Sequence, residues 1–364
     1  MDDQKYWLGF SLAPGIGPKR MLRLYHHFGD LGQAWSASKT GLQAAGLDGK
    51  PLEMLLEHRK QLDLDEEIEK VRRTGAGLTT LVDADYPNRL KEADDAPPVL
   101  YVRGALTVVD DRAISIVGTR KATRYGRDVT FDLARQLAQQ GITIVSGLAH
   151  GIDSAAHRGA LKAGGRTIAV LGCGIDMIYP RDHTELAQKI AANGAIISEF
   201  PVGTQPIASN FPRRNRIVSG LSLGVLVTEA PEHSGALITA ELAADQGREV
   251  FAVPSNIFNA MGRGANRLIQ EGAKLVTGVE DILEELDIAY QNADVRTTTE
   301  QIAPESETER RLLQHLDVDP IHIDDLARLT GLPVQEVSST LTILELKGVA
   351  QMVGHMQYSR VTRI

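Results

Sequence analysis

The sequence predicts an α/β protein built on a doubly wound parallel sheet, and three observations carry that prediction. Between residues 113 and 287, short apolar runs rich in β-branched residues recur at 114–117, 142–145, 167–171, 195–198, 224–228, 249–253 and 274–277. Amphipathic stretches of helical length separate most of them, at 123–140, 152–163, 184–192, 212–220, 236–247 and 265–271. The short runs are apolar throughout rather than alternating, as strands covered by helices on both faces must be.

Composition sets the limits around that core. The chain has 364 residues, 43% of them hydrophobic, which suits two or three folded domains of roughly 150 residues and excludes wholesale disorder. Its one cysteine, Cys173, has no partner for an internal disulfide, so a reduced, cytoplasmic setting is expected. Met1-Asp2-Asp3 carries acid where a secretion signal carries base, and no apolar run is long enough to span a membrane. The net charge of −8 argues at first against a nucleic-acid partner. Its distribution reverses that impression. Residues 1–100 have 13 basic and 16 acidic side chains, residues 101–290 have 19 and 20, and residues 291–364 have 7 and 11. The middle of the chain is nearly neutral, and its basic residues are grouped.

The flanking segments follow in order. Residues 1–75 read as a small helical domain in which the turn Leu12-Ala13-Pro14-Gly15-Ile16-Gly17-Pro18 precedes Lys19, Arg20 and Arg23. That string resembles a helix-hairpin-helix (SAM-like) element, whose amides contact a DNA phosphate; it also fits a helical cap whose glycines only make the turn. Residues 76–288 are expected to form the sheet domain, entered through an extended connector containing Pro97 and Pro98. Residues 289–306 are polar and threonine-rich and read as a linker. Residues 307–364 offer helices at 309–316, 323–330 and 334–347 and a hairpin around Gly354-His355, the pattern of a winged helix. Its third helix carries Lys347 against Glu336 and Glu345, which favours a protein-contact or packing role over groove reading.

Ligands of open parallel sheets sit at the carboxyl ends of the strands. After the first strand comes Gly118-Thr119-Arg120-Lys121, then Thr123, Arg124 and Arg127; from Arg112 to Arg127 there are five basic residues and no acidic one. A phosphate-binding loop is expected there. The spacing is neither G-x-G-x-x-G nor a Walker loop, so a dinucleotide enzyme and an ATPase are both disfavoured and no cofactor is expected. After the second strand, Ser146-Gly147 leads into Leu148-Ala149-His150-Gly151-Ile152-Asp153. His150, Asp153 and His157 could be drawn as metal ligands, but an Asp that caps the helix start beside locally bonded histidines is the better account. Cys173, between two glycines, reads as a small turn residue rather than a nucleophile.

The fourth parallel strand releases Asn210-Phe211-Pro212-Arg213-Arg214-Asn215-Arg216, within a stretch free of acid from Glu199 to Glu229. Clustered arginines beside an aromatic face are the pattern of single-stranded nucleic-acid binding. Ser234-Gly235 opens a further helix with free amides, another anion site.

Four strings together resemble the DNA-processing protein A (Smf) family: Gly118-Thr119-Arg120, Ser146 to Asp153, Phe211 to Arg216, and Ser234-Gly235-Ala236-Leu237-Ile238-Thr239. The resemblance implies an extended Rossmann-like domain that binds single-stranded DNA without sequence preference. It also implies a homodimer that protects incoming DNA and loads the RecA recombinase during natural transformation. Arg120 and the Phe211–Arg216 segment would then hold phosphates. Ser255 stands where the family often has Gly, and the Gly262–Asn266 string varies on a serine-rich loop. The alternative is a nucleotide-binding enzyme of the nucleoside-monophosphate phosphoribohydrolase type, against which stands the absence of a Pro-Gly-Gly-x-Gly-Thr string.

Overall fold

A computed structural model describes residues 3–288, 306–316, 321–346, 350–354 and 356–360. They divide into two compact units, 1–291 and 292–364. In the first, nine strands form one sheet: β1 (Gly77–Thr80), β2 (Val99–Gly104), β3 (Ala113–Val117), β4 (Thr143–Ser146), β5 (Thr167–Val170), β6 (Ala195–Ser198), β7 (Gly224–Val227), β8 (Glu249–Ala252) and β9 (Lys274–Leu275). Their order is β1-β2-β6-β5-β4-β3-β7-β8-β9, and β3 to β9 are all parallel.

The seven expected strands are present, and the sheet gains two more. The stretch that looked like a connector pairs as β2 antiparallel to β6, with β1 antiparallel beyond it. Pro97-Pro98 hold the entry extended, and Val99, Leu100 and Tyr101 are all buried, so this edge is a working part of the core.

Alternate residues of the apolar strands serve two cores. Ile114 and Ile116 of β3 pack with Leu133, Leu137 and Ile152 from the helices Arg124–Gln139 and Ile152–Lys162. Ala113 and Val117 face the opposite layer, with Ile217 and Ala240 from the helices Asn210–Gly220 and Gly235–Asp245. The same apolar layer continues into Trp7, Phe10, Met21 and Leu55 of the six N-terminal helices, which span residues 4–73. In the hairpin between the first two, Arg20 donates to Gly15 O (2.9 Å), and Arg23 reaches Gly46 O (3.2 Å).

The second unit has helices Glu307–His315, Ile323–Thr330 and Val334–Leu346. Strands β10 (Ile321–His322), β11 (Ala350–Gly354) and β12 (Gln357–Arg360) form its sheet, in the order β10-β12-β11. Leu312, Leu326, Val337, Leu341 and Tyr358 form its core. The third helix contains no basic residue; Lys347, His355 and the 289–305 part of the expected linker lie outside the described residues.

Candidate nucleic-acid interface

Chain direction creates the cleft. From β3 the chain winds outward through β4, β5 and β6, then returns to place β7 on the other side of β3. The loops after β3 and β7 therefore diverge, and the switch point between them opens toward solvent. Gly118-Thr119-Arg120 follows β3 and Thr228-Glu229 follows β7, joined where Thr119 N donates to Glu229 O at 2.7 Å. Gly118 is required here: a Cβ would lie 2.5 Å from Ile152 and 2.6 Å from Glu229 O.

The buried Glu229 carboxylate organises the rim. It accepts from Thr123 N (2.7 Å), Thr123 Oγ1 (2.8 Å) and Asn259 Nδ2 (3.1 Å), linking the loops after β3, β7 and β8. Sequence reasoning did not single it out, because its partners lie 106 and 30 residues away. Thr123 also caps the helix Arg124–Gln139 by accepting from Gly126 N.

Above this floor stands a cation–aromatic pair. The Arg120 guanidinium lies 5.1 Å from the centroid of the Phe211 ring. The Tyr179 ring, 44% exposed, has its centroid 5.7 Å from that of Phe211 and is tilted against it. Lys121 and Arg124 are exposed beside them, Arg124 with only a solvent-exposed contact to Asp128 at 3.5 Å. Arg213 is exposed and lies 5.3 Å from the Phe200 ring. Ser234 Oγ caps the helix Gly235–Asp245, and Gly235 has open space where a Cβ would go. Thr119 is buried and its Oγ1 accepts from Lys121 N, shaping the loop from below.

Six residues expected at the phosphate face make other contacts. Arg214 is 5% exposed, and its guanidinium donates to Gly147 O (2.8 Å) and to Val170 O, tying the ends of β4 and β5 together. Gly147 makes room for it, since a Cβ would lie 2.4 Å from Arg214 Nη2. Burial lowers the pKa of Arg214 and raises that of its electrostatic partner Asp153, so desolvation outweighs their attraction. Arg216 pairs with Glu199 (2.5 Å) and Asp95 (3.3 Å), and burial still holds the Glu199 carboxyl above its ordinary pKa. Ser146 is buried with its hydroxyl on Ile116 O, and Asn210 is buried with its amide directed to Gln205 O. Helical periodicity explains the split: positions 210 and 214 share the face that packs on the sheet, whereas 213 looks outward. Asn215 bridges to Gly235 O at 3.3 Å, locking the two helices that flank the cleft.

The drawn metal set does not assemble. Asp153 accepts from Ala149 N, and His157 is fully buried against Thr167. His150 instead lies near Asp182 and His183, with its ring centroid 4.8 Å from that of His183 and its Nδ1 3.7 Å from Asp182. Cys173 is buried, with its thiol pushed up to about 11 mainly by burial, which keeps it protonated and unreactive.

A doubly wound sheet with its ligand cleft at the switch point places the chain in the Rossmann-like class. The model of the family described as DNA recombination-mediator protein A matches residues 77–287, and that of the DprA winged helix domain matches residues 296–355. Protein Smf of Synechocystis is 36% identical over 98% of this chain and 99% of its own length. The X-ray structure of DNA processing protein A from Streptococcus pneumoniae has a TM-score of 0.69 at 35% identity, covering 77% of this chain and 97% of that one. A structure of DNA processing protein A from Helicobacter pylori, described for its single-stranded DNA binding mode, has a TM-score of 0.53 at 33% identity over 60% of this chain and 99% of that one. The chain belongs to the DNA recombination-mediator protein A family, a family of DNA-processing proteins rather than of phosphoribohydrolases. Among the described residues, no helix is long and apolar enough to cross a membrane.

Proposed function

We propose that this protein binds single-stranded DNA without sequence preference in the switch-point cleft, protects it, and delivers it to a RecA recombinase. The observation that carries the reading is Arg120 standing over Phe211, with the Tyr179 ring 5.7 Å from the Phe211 ring. Arg120, Lys121, Arg124 and Arg213 supply phosphate partners, and the Phe211 and Tyr179 rings accept bases of any identity. The amides opened by Ser234-Gly235 offer a further phosphate position. Gly118, Thr119, Ser146, Gly147, Asn210, Arg214, Asn215 and Arg216 shape the cleft from beneath rather than touch the strand. The Helicobacter relative, described as binding single-stranded DNA, supports the same assignment. No chemical step is required of any residue. Delivery to RecA, action as a homodimer and a cytoplasmic location belong to the same proposal; the third helix of the winged unit, without a basic residue between Val334 and Leu346, suits a protein contact better than a phosphate contact.

The test is fluorescence anisotropy with a labelled oligothymidine across a salt series. Arg120→Ala is expected to weaken binding at every sequence tested and to lower the salt slope by about 0.7. Phe211→Ala is expected to weaken it by roughly 5- to 100-fold with the slope unchanged. Wild-type affinity in both variants sinks the proposal.

A further inference from the structure

The loop after β8 carries two of the three most exposed large apolar side chains among the described residues: Phe258 at 88% and Ile257 at 74%. Hydrogen bonds pin the loop beneath them. Asn266 brackets Ser255, receiving from its N–H (2.8 Å) and donating to its carbonyl (2.9 Å). Asn259 Nδ2 bridges Ser255 Oγ (3.2 Å) and the Glu229 carboxylate (3.1 Å), while Phe258 N donates to Asn256 Oδ1 (2.9 Å). A phenyl ring is thus held in water on an anchored backbone, where burying it inward would lower the free energy.

The surroundings indicate the occupant. The loop shares Glu229 with the Gly118–Thr123 segment, so it forms the next stretch of the same rim. Tyr125, 50% exposed, reaches Pro254 O with its hydroxyl at 3.3 Å. Residues 112–127 and 253–270 contain no acidic side chain. An aromatic ring on an anchored loop, on a rim whose two exposed segments carry no acid and whose Glu229 is buried, fits a nucleobase of a polyanion.

We propose that Phe258 stacks a base of single-stranded DNA, with Tyr125 beside its loop, and so continues the strand's path from Phe211 across the sheet ends. Phe211 lies over Gly172 just past β5, and Phe258 follows β8. Four inter-strand steps of about 4.8 Å separate those strand ends, roughly 19 Å in all, a span of several nucleotides. The inference rests on the cleft reading above and adds a second base platform to it.

Phe258 packs on little, so Phe258→Ala leaves the fold intact. With a 20-nucleotide oligothymidine, Phe258→Ala is expected to weaken binding roughly 5- to 100-fold at unchanged salt slope, and Phe258→Trp to restore it. Irradiated 5-iodouracil oligonucleotide is expected to crosslink to the peptide containing Phe258. Wild-type affinity in Phe258→Ala, with no crosslink at residues 253–262 while Arg120→Ala still loses binding, overturns this platform and spares the cleft. If Arg120→Ala and Phe211→Ala also bind normally, the cleft reading and the platform fall together.

Discussion

Arg214 separates what arginine clusters look like in a sequence from what they do in a fold. Removing it by Arg214→Ala leaves the carbonyls of Gly147 and Val170 without their donor and Asp153 buried without its compensating charge. Leaving a buried charge without its compensating partner costs about 3–5 kcal/mol. At roughly 2–4 °C per kcal/mol for a unit of this size, the melting temperature should fall by about 6–20 °C. Thermal unfolding followed by circular dichroism measures this directly, with Arg213→Ala as the paired control one residue away. The control should melt like wild type while losing affinity for single-stranded DNA, because its side chain faces solvent. An Arg214→Ala protein that melts at the wild-type temperature would refute the buried-tie assignment and return Arg214 to the phosphate-binding surface.

Two further outcomes follow from buried groups. Glu229→Gln keeps the size of the side chain but leaves one acceptor for three donors, so it should cost about 2–4 kcal/mol in chemical denaturation and also weaken DNA binding by loosening two rim loops. His157 makes stability fall on mild acidification. Thr167 Oγ1 donates to Ile144 O, so it accepts from His157 Nδ1–H, and His157 Nε2 is left buried with no partner. Burial, then the nearby His183 and Arg214, push its pKa down to about 3 from the ordinary 6.5. Between those values only the unfolded chain takes the proton, so stability is lost as pH drops, by about 1.4 kcal/mol between pH 7.5 and 5.5. Denaturation midpoints at the two pH values should show that loss in wild type and not in His157→Gln; an equal loss in both would rule out His157 as its source.

The doubly wound sheet was legible because parallel strands buried on both faces must be apolar throughout and must alternate with helices, and both properties are local. The glycine-rich loops and basic runs were legible for the same reason: they are short strings at strand ends. The antiparallel edge was not. Val99 to Gly104 is apolar enough for a strand, but its partner β6 lies about ninety residues later, and only pairing distinguishes an edge strand from an extended connector. The tail's helices and hairpin could be read from its pattern, and the scarcity of base in its third helix, Lys347 against Glu336 and Glu345, is a matter of composition.

Which arginines meet solvent was decided by the tertiary structure alone. Arg120, Arg213, Arg214 and Arg216 are equivalent in sequence as cations in acid-free runs. Helix phase turns Arg213 outward and Arg214 onto the sheet, while Asp95, more than a hundred residues upstream, and Glu199 claim Arg216. Arg120 and Phe211 meet because the switch point brings the loop after β3 beside a helix ninety residues later. A sequence records which charges and rings exist. Burial and long-range pairing determine which of them remain available to a ligand, because a cation held by buried carbonyls or carboxylates no longer has its field free for a phosphate.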